Sequence, residues 1–249
     1  MPNFEHSFYD EIYTYNSLNS TNKHAEKLIK QRSAVGNFLI LANKQTGGRG
    51  RRSNRWFSPA GGLWFSVALY GININSSLSL YAGICAHKVL QETFPELDFK
   101  LKWPNDVYCN GKKVGGILTQ YLANYKYHIV GIGLNTNLDE LEEEITNLAT
   151  SLKMETEKKI DNAAILTMFS NIFAMNLPEL METGKLDAAY FNQFSLLKNK
   201  KITLDTDFDK FSGISKGINK RGAILLEIAP AMVQPFYAGT ISEFKKGDS

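Results

Sequence analysis

The sequence is poor in the residues that hold small secreted domains and structural metal sites together. Its 249 residues include two cysteines, Cys85 and Cys109, and four histidines, at positions 6, 24, 87 and 128, that have no cysteine or histidine partner at ligand spacing. A disulfide framework needs several paired cysteines, and structural zinc needs four closely spaced ligands. Neither explains this fold, and we expect both cysteines to be reduced thiols.

Two kinds of segment are also missing. The first twenty residues lack a basic leader followed by an apolar run, and no stretch approaches the roughly 18 consecutive apolar residues typical of a membrane helix. The formal net charge is only +3, which is small for a protein that coats nucleic acid. Together with 43% hydrophobic residues, these features predict an ordinary globular protein of the cytoplasm.

Positive charge is instead concentrated in residues 44–59, KQTGGRGRRSNRWFSP, which we call the cationic loop. It carries five positive charges, no negative one and three glycines, and it follows an apolar run that predicts a strand. Arginine offers planar charged groups that suit carboxylates and phosphates, and glycine lets backbone N–H groups approach an anion. The pattern predicts an anion-binding loop that is mobile until its ligand arrives. A solvated basic loop, or an RNA-binding arm in which Trp56 or Phe57 stacks on a base, are the alternatives.

Three further segments could belong to the same site: KWPND at 102–106, GKKVGGIL at 111–118 and GIGLNTN at 131–137. Asp106 is a candidate magnesium ligand, and the glycine pairs of the other two segments leave space for a ligand on the strand backbone, with Lys113 at its charged end. Each segment alone also has a structural interpretation, as a turn, a core tryptophan or a strand bulge. The occurrence of all of them in one chain favours a binding site.

The remaining patterns predict two domains, at 1–188 and 189–249. Ser20 or Thr21 is expected to cap a helix, and Asn110-Gly111 is typical of a hairpin turn. A helical pattern between about 160 and 183 contains Pro178, which we expect to end or kink the helix near Leu177. From residue 189 onward, short alternating runs separated by glycines predict a small β-barrel.

In this order, STN at 20–22, the cationic loop, KWPND, GKKVGGIL and GIGLNTN resemble the biotin protein ligases, also called biotin-[acetyl-CoA-carboxylase] ligases. The resemblance extends over about residues 17–243, because SGISKGINKRGAILLEI and FYAGTIS are similar to that family's C-terminal domain. It implies an α+β fold: a mixed sheet with helices packed on it, as in class II aminoacyl-tRNA synthetases, forms a catalytic biotin- and ATP-binding domain at 1–188. A small SH3-like β-barrel follows at 189–249.

The resemblance also implies a two-step reaction. The biotin carboxylate attacks the α-phosphorus of ATP to give biotinyl-5'-AMP and pyrophosphate, and the ε-amine of one lysine on a biotin carboxyl carrier protein then displaces AMP. ATP and biotin are the implied substrates, with Mg²⁺ as the metal. The carrier protein is the implied partner, a homodimer is possible, and neither DNA nor a membrane is expected.

Site residues follow from the resemblance position by position. The implied biotin contacts are Ser20, Thr21, Asn22, Gln45, Gly48, Arg49, Gly50, Arg51, Lys113, Gly116, Ile117, Leu118, Gly131 and Gly133. The implied ATP contacts are Arg51, Arg52, Trp56, Asn105, Lys113, Asn135 and Lys201. Lys113, Arg49 and Arg51 are the implied catalytic residues, and Asp106 and Asn135 are the implied metal ligands.

The sequence departs from the family pattern at three points. Ser53-Asn54 follows the double arginine where relatives often have a glycine, and Gln120 replaces an acid found in many relatives. The signature begins about twenty residues in, so we expect no N-terminal winged-helix domain and no repressor function. The alternatives are a lipoate or octanoate ligase or transferase of the related fold, and an RNA-binding protein that uses the cationic loop.

Overall fold

A seven-stranded sheet forms the larger part of the computed structural model, which describes residues 8–74 and 77–244. Its strands are β1 (Glu11–Leu18), β2 (Phe38–Gln45), β3 (Leu63–Tyr70), β4 (Phe99–Lys102), β5 (Asp106–Cys109), β6 (Lys112–Leu122) and β7 (Tyr127–Leu134). They are arranged in the order β1-β2-β3-β7-β6-β5-β4. The β1–β2 pair is parallel and the other pairs are antiparallel, so the sheet is mixed as expected.

Helices cover both faces of this sheet. They are α1 (Thr21–Lys30), α2 (Leu78–Thr93), α3 (Leu152–Thr156), α4 (Asn162–Thr183) and α5 (Ala188–Gln193). The two faces of β3 are both buried: Phe65, Val67 and Leu69 belong to the main core with α2 and α4, whereas Ala68 faces a smaller cluster with α1. Burial on both faces explains why β3 reads as a continuous apolar run rather than an alternating one.

One local prediction is confirmed, a second is right in position only, and the first strand was not predicted. Asn110 and Gly111 connect β5 to β6 with positive φ values of 47° and 77°, as a two-residue hairpin turn requires. Ser20 occupies the N-cap position of α1, but the prediction that Ser20 or Thr21 caps the helix with its side chain is wrong, because no side-chain capping hydrogen bond is made there. β1 has no sequence pattern that predicts a strand, because this edge strand is mostly exposed and carries Thr, Asn and Ser among its apolar residues.

The prediction that Pro178 ends or kinks α4 near Leu177 is wrong about where the helix ends. The helix continues to Thr183 and ends at Gly184, which has a φ of 61°. Leu177 and Leu180 are buried on either side of Pro178, so packing offsets the one backbone hydrogen bond that proline removes. Contrary to expectation, α4 is also long and apolar enough to span a bilayer, but Phe169 and Phe173 bury its inner face against α2 and β3, as in the core helix of a globular domain.

The C-terminal part forms a second sheet that is entirely antiparallel. Its strands are β8 (Lys201–Asp205), β9 (Lys210–Ile218), β10 (Ile224–Ala229), β11 (Met232–Phe236) and β12 (Thr240–Phe244), in the order β11-β10-β9-β8-β12. The five strands are consistent with the expected SH3-like domain, although no pairing between β11 and β12 closes them into a barrel among the described residues.

Candidate active site

A cavity of about 810 Å³ opens over β5, β6 and β7. The start of α1, the cationic loop, the segment after β7 and the first residues of β12 complete its wall. The lining includes most of the residues implicated above: Ser20, Thr21, Asn22, Gln45, Arg49, Gly50, Arg51, Arg52, Trp56, Asn105, Asp106, Lys113, Gly116, Ile117, Leu118, Gly131, Gly133 and Asn135. Gly48 and Lys201 do not line this cavity. Segments far apart in sequence therefore meet around one space.

The first residues of α1 are held in place by side chains from β2 and β3. Gln45 Oε1 accepts the backbone N–H of Thr21 at 2.8 Å, which provides the helix cap that the Ser20 side chain does not. The Gln45 amide nitrogen donates to Ser58 Oγ at 3.0 Å. Both ends of the Gln45 amide are thus occupied, and its position is fixed from both sides.

Ser66, which belongs to none of the predicted site segments, lies fully buried beneath this corner of the cavity. Its hydroxyl oxygen is 2.7 Å from Thr21 Oγ1 and 2.6 Å from Asn22 Oδ1, while Asn22 Nδ2 donates to the Leu118 carbonyl at 3.1 Å. A single serine in an otherwise apolar strand is the sequence signal that could have identified it. Ser66 orients the side chains that face the cavity.

Glycines in β6 and β7 leave room on the sheet, as predicted, but side chains of this chain fill part of it. A Cβ at Gly133 would lie 2.5 Å from Trp56 Nε1, and one at Gly116 would lie 3.3 Å from the Trp56 ring. A Cβ at Gly131 would collide with the Asn22 amide. Within the described residues, the buried Trp56 Nε1 has no hydrogen-bond acceptor. The Trp56 ring therefore lies directly on the sheet.

Lys113 stands at the charged end of the cavity. Its Nζ is 2.6 Å from Asp106 Oδ1 and 5.0 Å from the centre of the Trp56 ring. In the described chain Asp106 Oδ1 accepts no directed hydrogen bond despite this short distance, so the contact is ionic. An anionic ligand could replace Asp106 as the partner of Lys113.

A second lysine, Lys102 of the KWPND segment, lines the cavity near Lys113, although the resemblance implies no individual role for it. Burial lowers its pKa, and the nearby Lys113 lowers it further, whereas Asp106 acts in the opposite direction. Two neighbouring cations with one carboxylate between them produce a positive field where phosphate oxygens would fit.

The side-chain amide nitrogens of Asn105 and Asn135 donate hydrogen bonds to backbone carbonyls of the protein. Asn105 Nδ2 donates to the Ile117 carbonyl at 2.9 Å, and Asn135 Nδ2 donates to the Thr150 carbonyl at 2.9 Å. These bonds tie the KWPND turn to β6 and the end of β7 to Thr150. The amide oxygens are the groups that remain for a ligand.

The C-terminal sheet holds two arginines of the cationic loop. Arg51 Nη2 donates to the Gly239 carbonyl at 2.9 Å, and Arg52 lies 3.5 Å from Asp207. Burial lowers the pKa of Arg51, with a further contribution from Arg52. The mobility of the cationic loop without its ligand stays a prediction, because these contacts describe one conformation and not its motion.

The donor set near Asp106 suits a magnesium ion that arrives with a nucleotide. No group of three or more His, Cys, Asp or Glu side chains is clustered as metal ligands in the part of the chain that the structure describes. Mg²⁺ commonly takes only one or two carboxylates, and phosphates and water supply its other ligands. Asp106 and the amide oxygen of Asn135, which both line the cavity, fit that requirement.

Gln120 does not line the cavity. Its amide nitrogen donates to Glu26 Oε2 on α1 at 3.2 Å.

Comparison with known proteins places this site in a family. Residues 15–137 match the biotin/lipoate A/B protein ligase family. The chain is 31% identical over 233 residues to the bifunctional ligase/repressor BirA of Bacillus subtilis. This aligned region covers 90% of this chain and 70% of that protein. It is 30% identical to the biotin--[acetyl-CoA-carboxylase] ligase of Paracoccus denitrificans, over 88% of this chain and 98% of the relative. The chain belongs to the biotin/lipoate A/B protein ligase family.

Within that family the structural similarity is to biotin ligases. The structure of the Aquifex aeolicus biotin protein ligase in complex with biotin and ATP superimposes with a TM-score of 0.81 at 29% identity, covering 94% of this chain and 98% of that one. The expected fold, a biotin-ligase-like sheet followed by a small C-terminal β unit, is confirmed.

Proposed function

We propose that this chain is a biotin protein ligase. It activates biotin with ATP to biotinyl-5'-AMP and transfers the biotinyl group to one lysine of a biotin-accepting carrier protein. The main support is that the cationic loop, Lys113 and the glycines of β6 and β7 border one cavity. The similarity to a ligase structure that holds biotin and ATP supports the same substrates.

Biotin is proposed to lie on β6 and β7, with its ring system toward Thr21 and Asn22 and its carboxylate toward Lys113. Trp56 rests on Gly116 and Gly133, and its buried Nε1 has no acceptor in the described chain, so this ring is the group that must move or rotate as the ligand enters. In the new position Trp56 is proposed to pack near the adenine.

The protein's contribution to the first step is positioning and charge. Two anions, a carboxylate and a triphosphate, must be brought into contact, and fixed positive groups stabilise the charge that develops on the α-phosphoryl oxygens. Arg49, Arg51 and Lys113 are proposed for this role, and Lys102 adds charge at the same end of the cavity. Lys113 has to exchange Asp106 for the substrate anion.

A magnesium ion would be held by Asp106 and Asn135, and it would supply charge neutralisation at the ATP phosphates. Gly48 stays proposed as a biotin contact and Arg52 as an ATP contact, although of the two only Arg52 lines the cavity. Lys201 is exposed at the start of β8, so it is the weakest of the proposed ATP contacts.

We also propose a division into domains at 1–188 and 189–249. It is supported by α5, which begins at residue 188 and is tied to the second sheet: Asn192 donates to the Ile218 carbonyl and accepts the Ile218 N–H at 2.7 Å. A biotin carboxyl carrier protein as acceptor, a cytoplasmic location, a possible homodimer, and a function without DNA or membrane binding complete the proposal.

The test is mass spectrometry of the purified protein after incubation with biotin, MgATP or both. Retained biotinyl-5'-AMP is expected only when both are present, and a carrier domain added afterwards should gain one biotinyl group on one lysine. Incubation with lipoate in place of biotin tests the related enzyme class. An adenylate formed with lipoate but not with biotin would contradict the proposal.

A further inference from the structure

A second loop faces the cationic loop across the cavity and carries the opposite charge. Residues 138–149, which we call the acidic loop, follow β7 and contain five carboxylates and no lysine or arginine. Leu141, Glu142, Ile145 and Leu148 of this loop line the cavity. The mouth of the cavity is therefore bordered by two segments that attract each other.

The two loops touch through one ion pair. Arg55 Nη2 lies 2.9 Å from Glu142 Oε1, and both residues line the cavity. Glu142 is 29% exposed, so it is partly enclosed, whereas Arg55 is 75% exposed. The other ion pairs of these loops point elsewhere in the described structure, since Arg52 faces Asp207 and Asp139 faces Lys153.

Both loops are also anchored at Lys113. The backbone of Lys113 donates to the Leu148 carbonyl and accepts the Thr150 N–H, each at 2.9 Å, which fixes the far end of the acidic loop. The Lys113 ammonium lies over the ring of Trp56, the neighbour of Arg55. A continuous set of contacts therefore surrounds the cavity. It runs from the Lys113 backbone through the acidic loop to Glu142, across the ion pair to Arg55, and through Trp56 back to the Lys113 ammonium.

We propose that Arg55 and Glu142 are positioning residues that latch the cationic loop to the acidic loop and so retain the adenylate until the acceptor amine arrives. This inference rests on the proposed function, because it concerns the intermediate of that reaction. Exposed ion pairs contribute modestly, so neutralising either residue is expected to accelerate escape of the adenylate about 2- to 5-fold.

The test uses the full chain loaded with adenylate made from labelled biotin and MgATP, followed by a chase with unlabelled biotin. Arg55→Gln and Glu142→Gln are expected to release label about 2- to 5-fold faster than the unmodified chain at low salt. Asp139→Asn is the matched control, since it removes the same charge from the same loop but its partner is Lys153. It should release label at the unmodified rate.

Two further measurements separate a latch from a general loss of structure. The exchanged pair, Arg55→Glu with Glu142→Arg, should restore slow release, which a purely structural defect would not do. High salt should bring the unmodified chain toward the rate of the single variants, because salt screens exposed charges. Equal release rates for the unmodified chain and both single variants would overturn the latch alone. A chain that forms no adenylate at all would overturn the proposed function and the latch with it.

Discussion

Lys113 contacts three parts of the candidate site. It pairs with Asp106, lies over Trp56 and anchors the acidic loop through its backbone. Only the first two of these contacts depend on its side chain. A substitution can therefore remove the charge and leave the backbone anchor in place.

Changing Lys113 to Met is expected to slow adenylate formation by about 100-fold or more, because one preorganised positive group aimed at the reacting phosphoryl oxygens is removed. Lys112→Met is the matched control: Lys112 is the adjacent residue, but it does not line the cavity. Single-turnover formation of biotinyl-5'-AMP measures the effect. Equal rates for the two variants would show that Lys113 has no special role in the first step.

At the residue scale, the motifs predicted most of the side chains that line the cavity. They did not predict the contacts that position those side chains. Arg49, Lys113 and Gly133 could be assigned because cationic and glycine-rich segments follow strand-like runs. The motifs assign no individual role to Ser66 or Lys102, because their roles depend on neighbours brought close by the fold. Trp56 occupies the space that Gly116 and Gly133 leave on the sheet. Its position depends on the conformation of the cationic loop, which local sequence does not determine.

At the scale of elements, His87 joins three of them. It lies fully buried in α2, and its ring nitrogens contact the Phe99 carbonyl of β4 at 3.0 Å and the Tyr190 hydroxyl of α5 at 2.9 Å. A neutral ring serves both contacts, with Nε2–H donating to the carbonyl and Nδ1 accepting from the hydroxyl. Burial lowers the pKa of His87 to about 4, with Lys100 acting in the same direction and Asp98 in the opposite one.

Folding stability should therefore fall as the pH drops below about 6.5. Over the range from 6.5 to 4, the unfolded chain binds a proton at His87 that the folded chain does not, so protonation favours unfolding. The loss attributable to His87 is about 2 kcal/mol between pH 7 and pH 5. Urea unfolding of a His87→Gln variant should show a smaller decrease over this range. His24→Gln is the comparison: partial burial also lowers the pKa of His24, but this α1 histidine is only half-buried, so its replacement should change the decrease less. An unchanged pH dependence in His87→Gln would contradict the assignment.

Elements with a strong pattern or a specific turn could be predicted from sequence. β2, β3, α2 and the β5–β6 hairpin follow from apolar runs, helical spacing and Asn110-Gly111. β1 could not, because it is an exposed edge strand whose position depends on β2. The continuation of α4 through Pro178 depends on core contacts that outweigh the local preference of proline.

For the whole molecule, the two sheets share one core. The main cluster of buried apolar residues includes Phe65 and Leu101 of the first sheet together with Leu204 and Leu226 of the second. Trp103 Nε1 donates to the Gly222 carbonyl at 3.0 Å, and Leu186 N–H donates to the Lys220 carbonyl at 2.7 Å. The proposed boundary near residue 188 would therefore be a change of sheet within a continuous interior.

We expect the chain to unfold in one cooperative transition, because neither sheet can separate without exposing that shared core. All three tryptophans, Trp56, Trp64 and Trp103, precede residue 189. Trp64 donates to the Pro59 carbonyl and reports on the first sheet, whereas Trp103 donates to the Gly222 carbonyl and also reports on the contact between the sheets. Amide exchange of β8–β12 during urea unfolding reports on the second sheet. The two midpoints should coincide.

A Trp103→Phe variant should lower the free energy of unfolding by about 1–3 kcal/mol, because the buried Gly222 carbonyl loses its donor. Both urea midpoints should therefore fall together. Trp64→Phe is the comparison, since Trp64 Nε1 donates to the Pro59 carbonyl within the first part of the chain. With a shared core it should also lower both midpoints, whereas with independent sheets it would lower the midpoint of the first sheet only. If the second sheet lost its protection before the tryptophan signal changed, the sheets would be independent units. The contact between Arg51 and the Gly239 carbonyl would then join two separately folding bodies instead of two parts of one core.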